Sequence, residues 1–313
     1  MNTIFVQIAS YRDPELVPTV LDLMEKAKYP ENLKICIAWQ HDKEETIDPI
    51  FKLKEMGIPI IILDIPAKES LGCCWARSLI QKQYNDEDYT LCLDSHHRFK
   101  ENWDELCIQM YEKMKSAGSL KPLLTTYVPS YSPTSTDYSS TENTFNYEAL
   151  SNTPWVIRYD KFNALGSLSQ HPDFFFNAPD KPVKARFLSA HFLFTSGQWN
   201  KEVIYDPNLY FSGEEISLAA RSYTWGYDMF HPNIVVAWHE YTRSYRTKHW
   251  DDDKEWWKKD GSSHDRLRKL LGMDPCDIDF GVYGFGPIRT LAEYQNYSNI
   301  NFKERQAGVF SYV

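Results

Sequence analysis

The sequence has little cysteine, no surplus of basic residues and no long hydrophobic run. Its six cysteines are sparse for 313 residues and two of them are adjacent, so reduced thiols in a cytosolic protein are a better interpretation than a disulfide framework. Lys and Arg number 34 against 43 Asp and Glu, a net charge of −9, which argues against a broad electrostatic surface for DNA or RNA. The longest apolar stretch, 56–63, is far shorter than the roughly 20 residues that span a bilayer.

The start of the chain indicates a protein that is not exported. Residues 3–9 are typical of a first core strand, and they are not preceded by a basic segment and a cleavable apolar stretch. Hydrophobic residues make up 42% of the sequence and charged residues 25%, the usual mixture for a globular protein with a real core. We therefore expect a soluble, cytoplasmic protein without a transmembrane segment.

Two periodicities alternate along the first 125 residues or so. Ser70 and Asn102 precede amphipathic runs and are plausible helix N-caps. Alternating strands and helices predict an α/β fold with a mixed, mostly parallel sheet and helices on both faces, in which ligands bind at the carboxyl ends of the strands. The predicted strands are 3–9, 34–39, 59–64, 89–93 and 122–127, and the predicted helices are 14–28, 44–56, 70–84 and 102–116.

The later part of the chain is less regular. Nine of the fifteen residues from 130 to 144 are Ser or Thr, which suits a functional flap and an idle loop equally well. We expect a helix at 213–225, a strand at 233–239, a short helix near 263–271 and irregular structure in the last forty residues. We interpret 1–260 as one catalytic domain, divided at about residue 127, and 261–313 as a C-terminal extension on the same domain.

A predicted strand that ends in Asp94 carries the strongest chemical signal. His96 lies two residues further on, so in extended chain both side chains project to the same face and can approach one divalent cation. A carboxylate and an imidazole suit Mn²⁺ and do not exclude Mg²⁺. His239 ends another apolar strand and is available as a third ligand. An isolated Asp-x-His is common, and the alternative is a polar strand end that is capped by solvent.

The sequence contains further polar candidates. A basic cluster that includes Arg243 and Arg246 follows His239 and suits a pyrophosphate, although it could instead be a solvated loop facing residues 251–253. Glu214 and Glu215 follow a glycine, where they either begin a helix or hold a sugar or acceptor hydroxyl in a cleft. Arg77, one turn into a helix, could reach a phosphate or a carboxylate.

Three segments resemble the cytoplasmic N-acetylglucosaminyltransferases that modify hydroxyproline in proteins. The similarity covers roughly residues 4–300, keeps the motifs in order, and includes a DSH-x-RF motif at 94–99. The DSH motif, the GEE-I segment and the downstream histidine also resemble, more distantly, the polypeptide N-acetylgalactosaminyltransferases. The segments are GCCWARSLIQKQYNDEDYTLCLDSHHRFKENWDEL, FLSAHFLFTSGQWNKEVIYDPNLYFSGEEISLAARSYTWGYD and YGFGPIRTLAEYQNYS.

This resemblance implies a GT-A fold, with a donor half at about 1–127 and an acceptor half at about 128–260. It also implies a UDP-sugar donor such as UDP-N-acetylglucosamine, Mn²⁺ or Mg²⁺, and retention of anomeric configuration. It implies that Asp94, His96 and His239 are metal ligands and that Glu214 or Glu215 lies at the boundary between sugar and acceptor. The histidine of Ala190-His191 is bulkier than the small residues that the galactosaminyl enzymes place against the donor sugar. The implied donor-binding residues are Gln7, Ser10, Tyr11, Arg12, Arg77, Ser95, Ala190, His191, Arg243 and Arg246.

Three functions remain open from the sequence. The first is a UDP-sugar glycosyltransferase that acts on a hydroxyl of a protein or glycan and does not bind nucleic acid. No carboxylate in the sequence is marked as a nucleophile, so a front-face displacement suits it better than a covalent intermediate. The second is a zinc hydrolase that uses Asp94, His96 and His239, because three protein ligands and an open position also suit Zn²⁺. The third is a non-catalytic sugar- or nucleotide-binding protein with the same fold.

Overall fold

The computed structural model describes residues 2–134, 147–149, 151–175, 179–242, 244 and 246–308. The strands are β1 (Ile4–Tyr11), β2 (Leu33–His41), β3 (Ile60–Pro66), β4 (Tyr89–Asp94), β5 (His97–Phe99), β6 (Pro122–Thr125), β7 (Tyr131–Pro133), β8 (Tyr147–Ala149), β9 (Trp155–Phe162), β10 (Leu168–Phe174), β11 (Val183–Lys184), β12 (Phe192–Ser196), β13 (Asp228–His231), β14 (Ala237–His239), β15 (Ile300–Asn301) and β16 (Gln306–Ala307). The helices are α1 (Leu16–Lys26), α2 (Asp48–Glu55), α3 (Cys73–Gln81), α4 (Trp103–Ser116), α5 (Trp199–Glu202), α6 (Glu214–Thr224), α7 (His249–Asp252), α8 (Trp256–Leu270) and α9 (Leu291–Ser298).

An eight-stranded sheet forms the centre of the molecule. Its order is β3-β2-β1-β4-β12-β6-β13-β11. The first four of these strands are parallel, whereas β12 runs antiparallel to both β4 and β6. The predicted α/β class and mixed, mostly parallel sheet are confirmed.

Helices cover both faces of the sheet because β1 is apolar on both sides. Ile4, Val6 and Ile8 belong to an apolar cluster that also contains residues of α1 and α4. Phe5, which projects to the other face, joins Ile80 of α3 in a second cluster. A strand buried on both faces reads as a nearly continuous hydrophobic run, and this explains why the sequence signal was clear.

The carboxyl ends of the parallel strands meet at one edge of the sheet. Ala9 pairs with Asp94 and Tyr11 pairs with Gln40, so β1, β2 and β4 end side by side. A two-stranded ribbon of β5 and β14 lies next to this edge, and its antiparallel register places His239 opposite residue 97. The ribbon therefore brings a residue from the second half of the chain to the end of β4.

Several predicted elements differ from the structure. The predicted strand at 233–239 is reduced to β14. The helix predicted near 263–271 begins earlier, so that α8 runs across residue 260, the predicted boundary between the catalytic domain and the C-terminal extension. The last forty residues contain α9 and the β15–β16 hairpin, so the prediction of irregular structure there is wrong. Thr290 and Glu293 form a capping box at the start of α9, a sequence signal that had been available.

The N-cap of α3 is Gly72, and Ser70 as the cap is wrong. Gly72 has φ +113°, in the region that favours glycine, and a Cβ there would lie 2.5 Å from Cδ2 of Tyr210. The Ser70 hydroxyl instead accepts a hydrogen bond from the Gly72 backbone at 3.3 Å. Asn102 does occupy the cap position of α4, in the left-handed region, without a side-chain cap hydrogen bond.

All six cysteines are free thiols. Among the described residues, no helix combines the length and the apolar character that crossing a membrane requires.

Candidate functional site

Three side chains converge at the end of β4. His239 Nε2 lies 3.3 Å and His96 Nε2 lies 3.7 Å from the same oxygen of Asp94, Oδ2. One ligand atom from each of the three residues lies within 4.8 Å of the other two. The two histidines are buried, whereas the Asp94 side chain is 21% exposed. The structure thus brings together the three residues that the sequence nominated as metal ligands.

Arg77 occupies the other oxygen of Asp94. Its Nη2 donates to Asp94 Oδ1 at 2.6 Å, and its Nε lies 3.1 Å from Glu214 Oε1. Burial raises the pKa of Asp94, but the hydrogen bond from His239 and the charge of Arg77 outweigh it and hold that pKa well below its usual value. Asp94 is therefore a charged carboxylate that offers one oxygen, Oδ2, to the two imidazoles.

The two glutamates at the start of α6 have different surroundings. Oε1 of Glu215 accepts from Ser189 Oγ and the Ala190 backbone at 3.0 and 3.1 Å, and Oε2 accepts from Tyr127 and Gln170 at 2.9 and 3.1 Å. Burial raises the pKa of Glu215 despite these hydrogen bonds.

Glu214 faces Arg77 and has no such set of donors. Burial raises the pKa of Glu214 to about 7, although the charge of Arg77 lowers it. Both glutamates lie in the first turn of α6, and both also line a large cavity. The segment therefore begins a helix and also faces a cleft.

Two cavities meet at Asp94. The large cavity has a volume of about 820 Å³ and lies on the side of α6, with Arg77, both glutamates and His191 in its wall. The small cavity, about 90 Å³, lies at the ends of β1 and β2 and is lined by residues that include Arg246 and Lys248. The residues common to both walls are Cys73, Asp94 and Phe211.

The predicted donor-binding residues are divided between these cavities and the interior. Tyr11, Ser95, His96 and Arg246 line the small cavity, and Arg77, Ala190, His191, Glu214 and Glu215 line the large one. Arg243 lies outside the described residues.

The remaining candidates at the end of β1 lie away from both linings. Gln7 is buried and donates to Thr90 Oγ1 and Asn200 Oδ1, each at 2.8 Å. Ser10 is also buried, while Arg12 forms ion pairs with the carboxylates of Asp42, Glu45 and Asp252. Hydrogen bonds engage the Gln7 amide NH₂ and ion pairs engage the Arg12 guanidinium, while a role of these residues in nucleotide binding stays a prediction.

His191 forms the wall behind the metal-ligand candidates. Its Nδ1 lies 2.8 Å from Ser189 Oγ, and its ring stacks on His239 at a centroid distance of 4.4 Å and on Tyr127 at 5.2 Å. These contacts fix the imidazole in place, so it restricts the space in the large cavity next to His239.

The three converging side chains fit a divalent metal ion. A carboxylate oxygen and two imidazole nitrogens suit Mn²⁺ and Zn²⁺ alike, and phosphate oxygens or water would complete the coordination. His96 Nε2 is buried and makes no hydrogen bond within the described chain, which is costly unless another group engages it. An ion between Asp94, His96 and His239 would satisfy that nitrogen.

The sequence reasoning missed Asp13 and Phe211. Asp13 follows β1 by two residues, and its Oδ2 lies 2.7 Å from His96 Nδ1. The sequence does carry a signal for Asp13, because polar residues that follow a buried parallel strand lie at the ligand-binding edge of the sheet. The predicted candidates at this strand end at Arg12. Phe211 precedes the Gly-Glu-Glu segment and is 44% exposed, which no pattern in the sequence marks as part of a cavity.

The chain is similar to a known family of proteins. The model of a family described as Glycosyltransferase (GlcNAc) matches residues 3–58 and 51–304. No curated protein matches the chain in sequence.

Two solved structures share the fold. GalNAc-T7 with UDP, GalNAc and Mn²⁺ is 12% identical, with 97% of this chain and 55% of that chain covered and a TM-score of 0.60. TarS residues 1–349 from S. aureus is 9% identical, with 88% and 67% covered and a TM-score of 0.51. The chain thus spans about half the length of GalNAc-T7. These similarities show the GT-A fold.

Proposed function

The chain belongs to the Glycosyltransferase (GlcNAc) family, and we propose that it is a metal-dependent retaining glycosyltransferase. It moves N-acetylglucosamine from UDP-N-acetylglucosamine to a hydroxyl group on a protein or glycan. The observation that supports this most is the convergence of Asp94, His96 and the buried His239, with Asp94 in the walls of both cavities. The small cavity serves the nucleotide, and the large cavity serves the sugar and the acceptor. GalNAc-T7, with UDP, GalNAc and Mn²⁺ in its structure, supports the choice of a UDP-sugar and Mn²⁺.

Positive side chains are available where the diphosphate would lie. Arg246 and Lys248 both line the small cavity, and the Arg246 guanidinium is held by the Tyr11 carbonyl at 3.4 Å and by Asp13 at 3.5 Å. A metal ion bound by Asp94, His96 and His239 would act as a Lewis acid on the diphosphate oxygens. The preorganised cations stabilise the negative charge that develops on the departing UDP.

The two glutamates support a displacement without a covalent intermediate. Both oxygens of Glu215 are occupied by donors, and Glu214 is paired with Arg77, so neither carboxylate is free to attack the sugar. In the proposed step, the acceptor oxygen forms a bond to the anomeric carbon on the face from which UDP leaves. The bond to the phosphate oxygen breaks with its electron pair, and that oxygen takes the proton of the acceptor hydroxyl. Anomeric configuration is retained.

The test of this function does not need the acceptor. We expect slow Mn²⁺-dependent hydrolysis of UDP-N-acetylglucosamine, because water replaces an acceptor hydroxyl, with the α-anomer as the first product in an NMR time course. His239→Ala and Asp94→Asn should each reduce this rate at least 100-fold at saturating Mn²⁺. His171→Ala, on an exposed histidine of β10, is the matched control and should keep the full rate. A near-normal rate in either site variant refutes the assignment.

The two alternatives have different signatures. Tight stoichiometric Zn²⁺ binding without nucleotide, together with hydrolysis of non-nucleotide substrates, would support the zinc hydrolase. Binding of UDP without turnover of any UDP-sugar would support a non-catalytic protein. The cytoplasm remains the proposed compartment, since its reducing conditions suit six free thiols.

A further inference from the structure

Asp13 is a buried carboxylate beneath the candidate metal site. Its Oδ1 accepts from the Glu15 backbone at 3.0 Å, which is a local turn at the start of α1. Its Oδ2 faces the site, where it accepts from Ser95 Oγ at 2.6 Å and lies 2.7 Å from His96 Nδ1. One oxygen of Asp13 therefore serves the backbone, and the other serves the functional cluster.

The contact with Oδ2 determines where the proton of His96 lies. An ionised carboxylate only accepts hydrogen bonds, so the imidazole carries a proton on Nδ1, and Nε2 is the ring nitrogen that faces the candidate metal site. That Nε2 lies 3.7 Å from Asp94 Oδ2, on the side where His239 Nε2 also points. The arrangement is the carboxylate–histidine pair that orients histidines toward metals.

We propose that Asp13 is a positioning residue, which holds His96 in the Nδ1–H tautomer and thereby sets the affinity of the site for a divalent cation. This proposal rests on the metal site of the proposed function. Asp13 also lies 3.5 Å from Arg246 Nε, so the same carboxylate orients a cation in the small cavity. The orientations of His96 and Arg246 then both depend on the buried carboxylate of Asp13.

Asp13→Asn tests the role with little change in volume. The amide oxygen can still accept from the Glu15 backbone, while an NH₂ group takes the place of Oδ2 and faces His96 Nδ1. The imidazole then accepts at Nδ1 and carries its proton on Nε2, where no lone pair remains for a cation. We expect the dissociation constant for Mn²⁺, measured by electron paramagnetic resonance without nucleotide, to rise 10- to 100-fold.

Asp22→Asn is the matched control, because Asp22 is a buried aspartate on α1 that accepts from the Phe99 backbone at 2.6 Å and does not contact His96. It should leave Mn²⁺ affinity unchanged. Selective ¹⁵N-histidine NMR, assigned with His96→Asn, should show a protonated Nδ1 in the wild type and an unprotonated Nδ1 in Asp13→Asn. The wild-type spectrum decides the question even if the variant does not fold.

The outcomes separate this proposal from the one beneath it. Wild-type Mn²⁺ affinity in Asp13→Asn, or an unprotonated Nδ1 in the wild-type spectrum, overturns the role of Asp13. Wild-type Mn²⁺ affinity in Asp94→Asn instead rejects the metal site itself, and with it the proposed function. Loss of affinity in Asp94→Asn with unchanged affinity in Asp13→Asn rejects only the positioning role.

Discussion

Glu214 and Glu215 are neighbours in sequence for which the same substitution should have opposite effects on stability. Burial raises the pKa of Glu214 from its ordinary value of 4.5 to about 7. Between these values the folded protein holds a proton that the unfolded chain has released. The free energy of unfolding of the wild type therefore decreases as the pH rises through this window, by about 3 kcal/mol, since one pKa unit corresponds to about 1.4 kcal/mol.

Glu214→Gln removes this penalty because glutamine does not titrate. Relative to the wild type, the variant should gain about 3 kcal/mol in free energy of unfolding as the pH rises from 4.5 to 8, most of it above pH 5. The assay is urea unfolding at a series of pH values with a chelator present, so that divalent cations do not contribute. Parallel pH profiles of the two proteins between pH 5 and pH 8 would refute the reasoning.

Glu215→Gln supplies the contrast. Each oxygen of Glu215 faces two hydrogen-bond donors, so an NH₂ group in place of either oxygen removes two hydrogen bonds and sets a donor against donors. We expect this variant to be less stable than the wild type at pH 8, by roughly 1.5–3 kcal/mol for each hydrogen bond to the charged carboxylate that is lost. Stabilisation of both variants at pH 8 would mean that burial alone governs both sites.

Two more predictions concern the cavity walls and the start of α3. Gly72→Ala should lower the free energy of unfolding by more than Gly57→Ala, since both positions have positive φ but only the Cβ at 72 meets a neighbour; equal losses in urea unfolding would contradict this. Phe211→Ala should weaken binding of UDP-N-acetylglucosamine roughly 3- to 10-fold and leave UDP binding unchanged, because Phe211 lines both cavities and in the proposed function the sugar would pass its ring. Phe174→Ala, at an exposed ring on β10, is the calorimetric control, and an equal effect on UDP would rule out a sugar contact.

The first part of the fold, up to about residue 127, could be predicted because its signals are local. The apolar runs that became β1, β2 and β4 are buried on both faces, and a polar residue ends β4 at Asp94. The i, i+2 spacing of Asp94 and His96 is likewise a local pattern. The structure brings these residues and His239 together, while their role as metal ligands stays a prediction.

The remaining parts depend on contacts between distant segments. Asp13 meets His96 across 83 residues, and the donors to Glu215 come from three other parts of the chain. Periodicity could not decide between the glutamates, because both fit the first turn of a helix, and only their partners distinguish them. The short β14 was overestimated, since an apolar run predicts burial and does not reveal how many residues pair with a neighbouring strand.

The β5–β14 ribbon has a consequence for the order in which the site is assembled. Asp94 and His96 emerge early in translation, but His239 joins them only after 145 more residues and only when β14 has paired with β5. A nascent chain that has folded the first four parallel strands therefore carries two thirds of the cluster and still lacks its last member. The cluster that we propose as a metal site is thus completed late in the maturing polypeptide, once both halves have come together.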